Sequence, residues 1–237
     1  MRFVSALLLA ASVAAAGGLN TDAAITVGER QFVSRTQARY ESVEQSIDRY
    51  LARTTIVYGV TPRITGLATI GYAWQSPGPD GLTDLFLRGR FKIFGRDRKR
   101  ETLVFSATLG GEIPVGETPI GNPDGGLVAG LVGTFERDRW RVDADVQRAW
   151  RPDAGDVTRA DVAVSYRFVE AEASQWLAIL ELNYRRVGRG DVLFLAPGLS
   201  YGIPGWSLEM SIQIAVATDV PGPAPEFAVV FGVVRVF

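Results

Sequence analysis

Between Asp191 and Val216 polar and apolar residues change places at nearly every step, and a chain that does this is committed to extended strands. Leu193, Leu195, Leu199 and Tyr201 share one face of the first arm, with Phe194, Ala196, Gly198 and Ser200 on the other. After Ile203-Pro204-Gly205 the return arm places Trp206, Leu208, Met210, Ile212, Ile214 and Val216 on one face, and Ser207, Glu209, Ser211, Gln213 and Ala215 on the other. A period of two belongs to a β-strand, and about eleven residues is the length of a tilted strand crossing a bilayer. A soluble sheet with one buried face shows the same pattern, so the question is whether the apolar face meets lipid or a core.

Ten more segments can be weighed against that question, because alternation recurs along the chain and no 3.6-residue period persists beyond residue 16. The pattern predicts an all-β chain of about twelve antiparallel strands near 31–43, 49–60, 64–75, 82–94, 102–114, 126–136, 138–150, 158–169, 175–187, 191–202, 205–217 and 226–237. Compact turns follow the even strands, such as Thr61-Pro62-Arg63 and Glu136-Arg137-Asp138. Looser Gly, Pro and Asp stretches follow most odd ones, such as Gly116 to Gly125. Outer-membrane barrels show this asymmetry, with short periplasmic turns and longer outside loops, so both ends are expected on the periplasmic side.

The tryptophans and the charges favour lipid. All five tryptophans lie on apolar faces near strand ends: Trp74 and Trp150 at the outer ends, Trp140, Trp176 and Trp206 at the inner ends, with Tyr201 and Phe237 beside them. Trp140 and Trp150 bound one strand, and ten steps of about 3.3 Å tilted near 45° span roughly 23 Å of membrane thickness. A soluble core would hold such rings near its middle. The opposite faces carry Arg88, Arg90, Arg141, Asp143, Asp145, Arg159, Asp161, Glu181, Arg185 and Glu209, which need water or mutual pairing. A barrel lumen supplies both. The expected fold is therefore a transmembrane antiparallel β-barrel over residues 31–237.

The N-terminus reads as an export signal over residues 1–16: Arg2 supplies the charge, Val4 to Val13 the apolar stretch, and Ala14-Ala15-Ala16 the cleavage site. The mature chain then starts near Gly17, with Ala23 or Ala24 as a weaker site, and residues 17–30 form a short periplasmic segment. The net charge of −1 gives no reason to expect nucleic acid, and the chain has no cysteine, so it forms no disulfide.

Four stretches resemble one family of bacterial outer-membrane proteins. They are GLTDLFLRGRFKIF at 81–94, LGGEIPVGE at 109–117, LAILELNYR at 177–185 and LFLAPGLSYGIPGWSLEMSIQ at 193–213. Their order and spacing are similar to those of the family labelled for a meta-pathway of phenol degradation. The resemblance implies a Gram-negative outer-membrane barrel with a part in uptake of small hydrophobic or aromatic compounds. It implies no catalytic residues. The last strand resembles the C-terminal signal read by the barrel-assembly machinery in ending on Phe237, although Arg235 stands where an apolar residue is usual; its guanidinium can snorkel to the interface.

Histidine is missing from all 237 residues. No Ser-His or Cys-His nucleophile can be built and no histidine-ligated metal site exists, so no enzyme, cofactor or metal is expected. Two readings of the inward charges stay open. They line or constrict an aqueous path for small-molecule solutes, as charge rings do in pores, or they pair completely and hold a narrow barrel shut as a structural or surface-interaction barrel. A lipid-modifying enzyme is the remote third reading. Outer-membrane lipid is the partner of the outer wall in every case.

Overall fold

The computed structural model describes residues 19–237 apart from 25–26, 117, 153–154, 172–173 and 221–222. The export signal expected at 1–16 lies outside the described residues. Thirteen strands run β1 Phe32–Val43, β2 Ile47–Thr61, β3 Ile64–Ser76, β4 Asp80–Leu82, β5 Leu85–Arg98, β6 Glu101–Ile113 and β7 Gly126–Arg137. They continue β8 Trp140–Trp150, β9 Val157–Ala171, β10 Ser174–Val187, β11 Gly190–Ile203, β12 Trp206–Asp219 and β13 Pro225–Val236. Each pairs antiparallel with its neighbours, and β1 pairs with both β2 and β13, so the sheet closes on itself. Because β4 and β5 share one place beside β3, the wall is a twelve-position transmembrane barrel. Closure satisfies the backbone donors and acceptors that lipid cannot.

The run expected as one strand at 82–94 is broken at Thr83-Asp84. Thr83 donates its N–H to the Gly71 carbonyl at 2.8 Å while its Oγ1 accepts the Gly71 N–H at 2.9 Å, so one residue of β3 exchanges both bonds with it. Asp84 turns inward, 3% exposed, and its carboxylate accepts the N–H of Gly116 at 3.0 Å and that of Asn122. The break thereby fastens the longest outer connection, residues 114–125, to the wall.

Burial is inverted relative to a soluble protein. On β12, Met210, Ile212 and Ile214 are 46–49% exposed, whereas Glu209, Ser211 and Gln213 between them are 1–2% exposed. Leaving a Leu or Ile side chain in water forgoes about 1.5–3 kcal/mol, a cost no soluble chain sustains around its whole girth; lipid removes it. Strand β1 shows how polar residues survive on that face. Ser34 and Thr36 interrupt its apolar side, and Thr36 Oγ1 lies 3.1 Å from Thr54 Oγ1, so the hydroxyls satisfy each other.

All five tryptophans project from the outer wall, and Trp140 and Trp150 are the two end residues of β8. Trp140 packs on Tyr166 with ring centroids 4.6 Å apart, Trp176 on Tyr201 at 4.7 Å, and Trp74 stacks on Tyr50 at 4.9 Å. Phe237 meets Phe32 edge-on at 5.3 Å where the barrel closes. Arg235 points its guanidinium over Trp206 and Phe237, 4.7 and 4.4 Å from the ring centroids. An arginine in an apolar position is thus held by cation–π contact.

Candidate functional site: a lumen divided by the N-terminal segment

Strand parity sends every second side chain inward, and the ten charged residues expected in the lumen all face it. They do not form one ring. Arg141 and Asp143 pair on β8, with Nε to Oδ2 at 2.7 Å, and Glu209 pairs with Arg35 at 2.7 Å. Arg159 joins Asp161 at 2.8 Å and Asp145 at 3.0 Å. Glu181 is fully buried and engages the N-terminal segment, whereas Arg185 stands apart, exposed to the outer part of the lumen.

The segment placed on the periplasmic side by sequence, residues 17–30, runs instead into the barrel over 19–24. Its polar groups explain why. Asn20 donates from its backbone N and Nδ2 to the Glu181 carboxylate, the latter at 2.7 Å. Asp22 donates its N–H to Asp145 Oδ2 at 2.8 Å, and Ala24 donates to Thr134 Oγ1 at 2.8 Å. The carbonyls are met from the wall: Gln37 Nε2 reaches Leu19 at 2.6 Å, Ser106 Oγ reaches Ala24 at 2.7 Å, and Arg90 donates to Ala23. Leu19 packs on Leu177, Ile179 and Val230, and Ala24 on Val104 and Val132. A backbone with no ladder of its own needs such partners when buried.

Asp22 is the centre of this arrangement. Its Oδ2 lies 3.3 Å from Arg88 Nη1, 3.5 Å from Arg90 Nη2 and 3.4 Å from Arg159 Nη2, and accepts from Gln147 Nε2 at 2.8 Å. Three guanidinium groups from β5 and β9 therefore face three carboxylates, Asp22, Asp145 and Asp161. Without Asp22 the wall would hold an excess of positive charge in a region of low dielectric.

Toward the inner mouth, Val27 and Val57 pack against a cluster of Val33, Val234 and Val236. Arg30 donates to the Gly59 carbonyl at 2.8 Å, and Gly59 donates to that of Gln31 at 3.0 Å. Gly59 is needed here, because a Cβ on it would lie 2.0 Å from the Gly28 carbonyl oxygen. Segment 19–24 stands between two cavities. The outer one, about 510 Å³, is lined by Arg39, Arg53, Phe86, Ile120, Arg185 and Phe194 among others; the inner, about 90 Å³, by Val33, Arg35, Thr55 and Leu67. Asn20, Gln37, Arg53 and Arg159 border both.

Sequence reasoning missed Asn20, Asp22, Gln147 and Thr134. Gln147 and Thr134 had a detectable signal, since both lie on inward positions of strands read correctly.

The sequence matches the family described as "Putative MetA-pathway of phenol degradation" over residues 15–231, and the chain belongs to that family. A search of curated proteins returns no match. Among solved structures, the COG4313 outer membrane channel from Pseudomonas putida F1 is 14% identical with a TM-score of 0.66, covering 90% of this chain and 97% of that one. The KdgM porin is 11% identical at 0.55, covering 86% and 99%, and the NanC porin 13% identical at 0.53, covering 86% and 98%. At such identities the likeness is one of fold, that of outer-membrane barrels.

Proposed function

We propose that this member of the phenol-degradation family is an outer-membrane channel for small solutes, with segment 19–24 forming its waist. The observation that carries the reading is the outer cavity of about 510 Å³ ending on a charged waist, in which the crossing segment belongs to no strand ladder. A wall strand cannot leave its hydrogen-bonded ladder within lipid, but a segment held by side chains can shift. The family's label and the channels that share the fold point the same way. The chain contains no histidine, which speaks against a hydrolytic or acyl-transfer barrel. Export through a signal ending near residue 16, a lipid-facing aromatic girdle at Trp74, Trp140, Trp150, Trp176, Trp206, Tyr201 and Phe237, and assembly through the strand ending on Phe237 belong to the same proposal.

Refolded mature protein inserted into planar bilayers tests it. Discrete conductance steps are expected, small because the waist is narrow and charged. A barrel that folds, by its heat-modifiable migration, yet gives no steps with or without residues 17–24 would sink the channel reading in favour of a closed structural barrel.

A further inference from the structure

The outer cavity has two chemically different walls. Leu51, Phe86, Phe194, Pro119 and Ile120 supply apolar surface, and Phe194 is 4% exposed with the Arg39 guanidinium 5.6 Å from its ring centroid. Most of the remaining lining is polar or charged, and its four carboxylates are all engaged. Glu41 holds Arg39 and, at 3.6 Å, Arg49. Glu112 takes Arg151 in a two-pronged pair at 2.7 Å on each prong. Asp161 takes Arg159, and Asp84 is occupied by backbone N–H groups.

Two cations are left over. Among the described residues no carboxylate comes within 4.0 Å of Arg53 or Arg185. Arg53 gives its Nε to Gln37 Oε1 at 2.8 Å and keeps its other donors; Glu41 and Asp161 attract Arg185 from beyond contact distance. A third donor points the same way. Asn183, 6% exposed and two residues before Arg185 on the same face of β10, accepts Gln213 Nε2 at 3.1 Å on its Oδ1. Its Nδ2 has no hydrogen-bond partner although it is buried against the cavity. A buried amide donor left unpaired costs about 1–3 kcal/mol, so something accepting is expected there.

We propose that the outer cavity is a binding site for a small amphipathic anion, an aromatic carboxylate, with its carboxylate taken by Arg53, Arg185 and Asn183 Nδ2 and its ring against the Phe86 and Phe194 side. Guanidinium groups match a carboxylate in shape and charge, and the cavity is of the size that encloses small ligands. The six cations of the lining include no lysine, and the apolar wall gives an inorganic anion nothing to bind. The inference rests on the channel reading to the extent that the cavity must open to the outside medium.

The test is binding by ligand-observed fluorine NMR in detergent micelles, with 4-fluorobenzoate as probe and 4-fluorobenzyl alcohol as its neutral counterpart. The carboxylate should bind saturably and at least about tenfold tighter than the alcohol, since charged hydrogen bonds decide the difference. Arg53→Gln combined with Arg185→Gln should weaken it about tenfold or more; Arg185→Lys should restore part of that, and Arg148→Gln on the outer rim should change nothing. Arg185→Gln alone, at an exposed position, carries the test if the double variant does not fold. Equal affinity for acid and alcohol, or an unchanged double variant, overturns the proposal. Conductance without saturable benzoate binding would sink this inference alone; binding without conductance would sink the channel alone.

Discussion

Replacing Asp22 with alanine should loosen the waist. At about 3.4 Å and an effective dielectric of about 20, each contact of a guanidinium with the Asp22 carboxylate carries roughly 5 kcal/mol of Coulomb attraction. Arg88, Arg90 and Arg159 all lie at 3.3–3.5 Å. Most of that gross figure offsets the desolvation of four charged groups, and removing one member of a buried pair costs about 3–5 kcal/mol net. Arg159 keeps Asp145 and Asp161, so the lower end applies. About 3 kcal/mol shifts the balance between seated and displaced segment by roughly two orders of magnitude. Single-channel recordings should then show larger steps or frequent excursions to a larger conductance. With three guanidinium groups facing two carboxylates, the reversal potential should also move toward anion selectivity. The reasoning fails if Asp22→Ala matches the parent in conductance, noise and selectivity while mass spectrometry shows a mature chain that includes residue 22. It fails equally if cleavage falls after Ala23, because the segment would then be gone from the working protein.

Two further outcomes follow from the parts that hold the segment and the outer loop. Asp84→Asn keeps one of two carboxylate acceptors, at a cost of about 1.5–3 kcal/mol for a charged hydrogen bond, so limited proteolysis between residues 114 and 125 should speed up about tenfold; an unchanged nicking rate would mean the loop is held by something else. Gly59→Ala sets a Cβ 2.0 Å from the Gly28 carbonyl oxygen, and overpacking of this kind costs about 1–3 kcal/mol. The temperature of the heat-modifiable shift should drop, and no drop would show that residues 28–31 are not seated against β2.

What the sequence made legible was what a ladder makes periodic. The strands could be placed because lipid and lumen impose opposite chemistry on alternate residues, and β8 was read to within two residues at its start and with no error at its end, Trp150. The inward charges followed from the same parity. The break at Thr83-Asp84 was hidden because Thr83 and Asp84 fit an alternating run; their interruption depends on Gly71, a residue twelve positions earlier whose backbone binds Thr83 twice. The path of residues 19–24 was hidden for a different reason. Asn20, Thr21 and Asp22 read as an ordinary polar leader, and nothing periodic marks a segment whose partners are scattered from 18 to 161 residues away, from Gln37 to Glu181.

The same distinction separates what is rigid in this barrel from what can move. Arg141–Asp143 and Arg35–Glu209 join residues fixed in the wall, so their geometry is inherited from backbone pairing and survives the loss of any one contact. Asp22 belongs to no ladder. Its position is set by side chains alone, and its charge is the one that makes the waist neutral. Because the wall around it is positive, displacing the segment would not merely widen the lumen; it would turn a balanced constriction into a cationic one. Of the two unpaired cations, Arg185 stands on the outer side of that waist and Arg53 reaches both cavities at its edge. An anion held there approaches a waist that is neutral while Asp22 is seated and attractive once it leaves, so the charge recognised outside and the charge exposed by opening have the same sign.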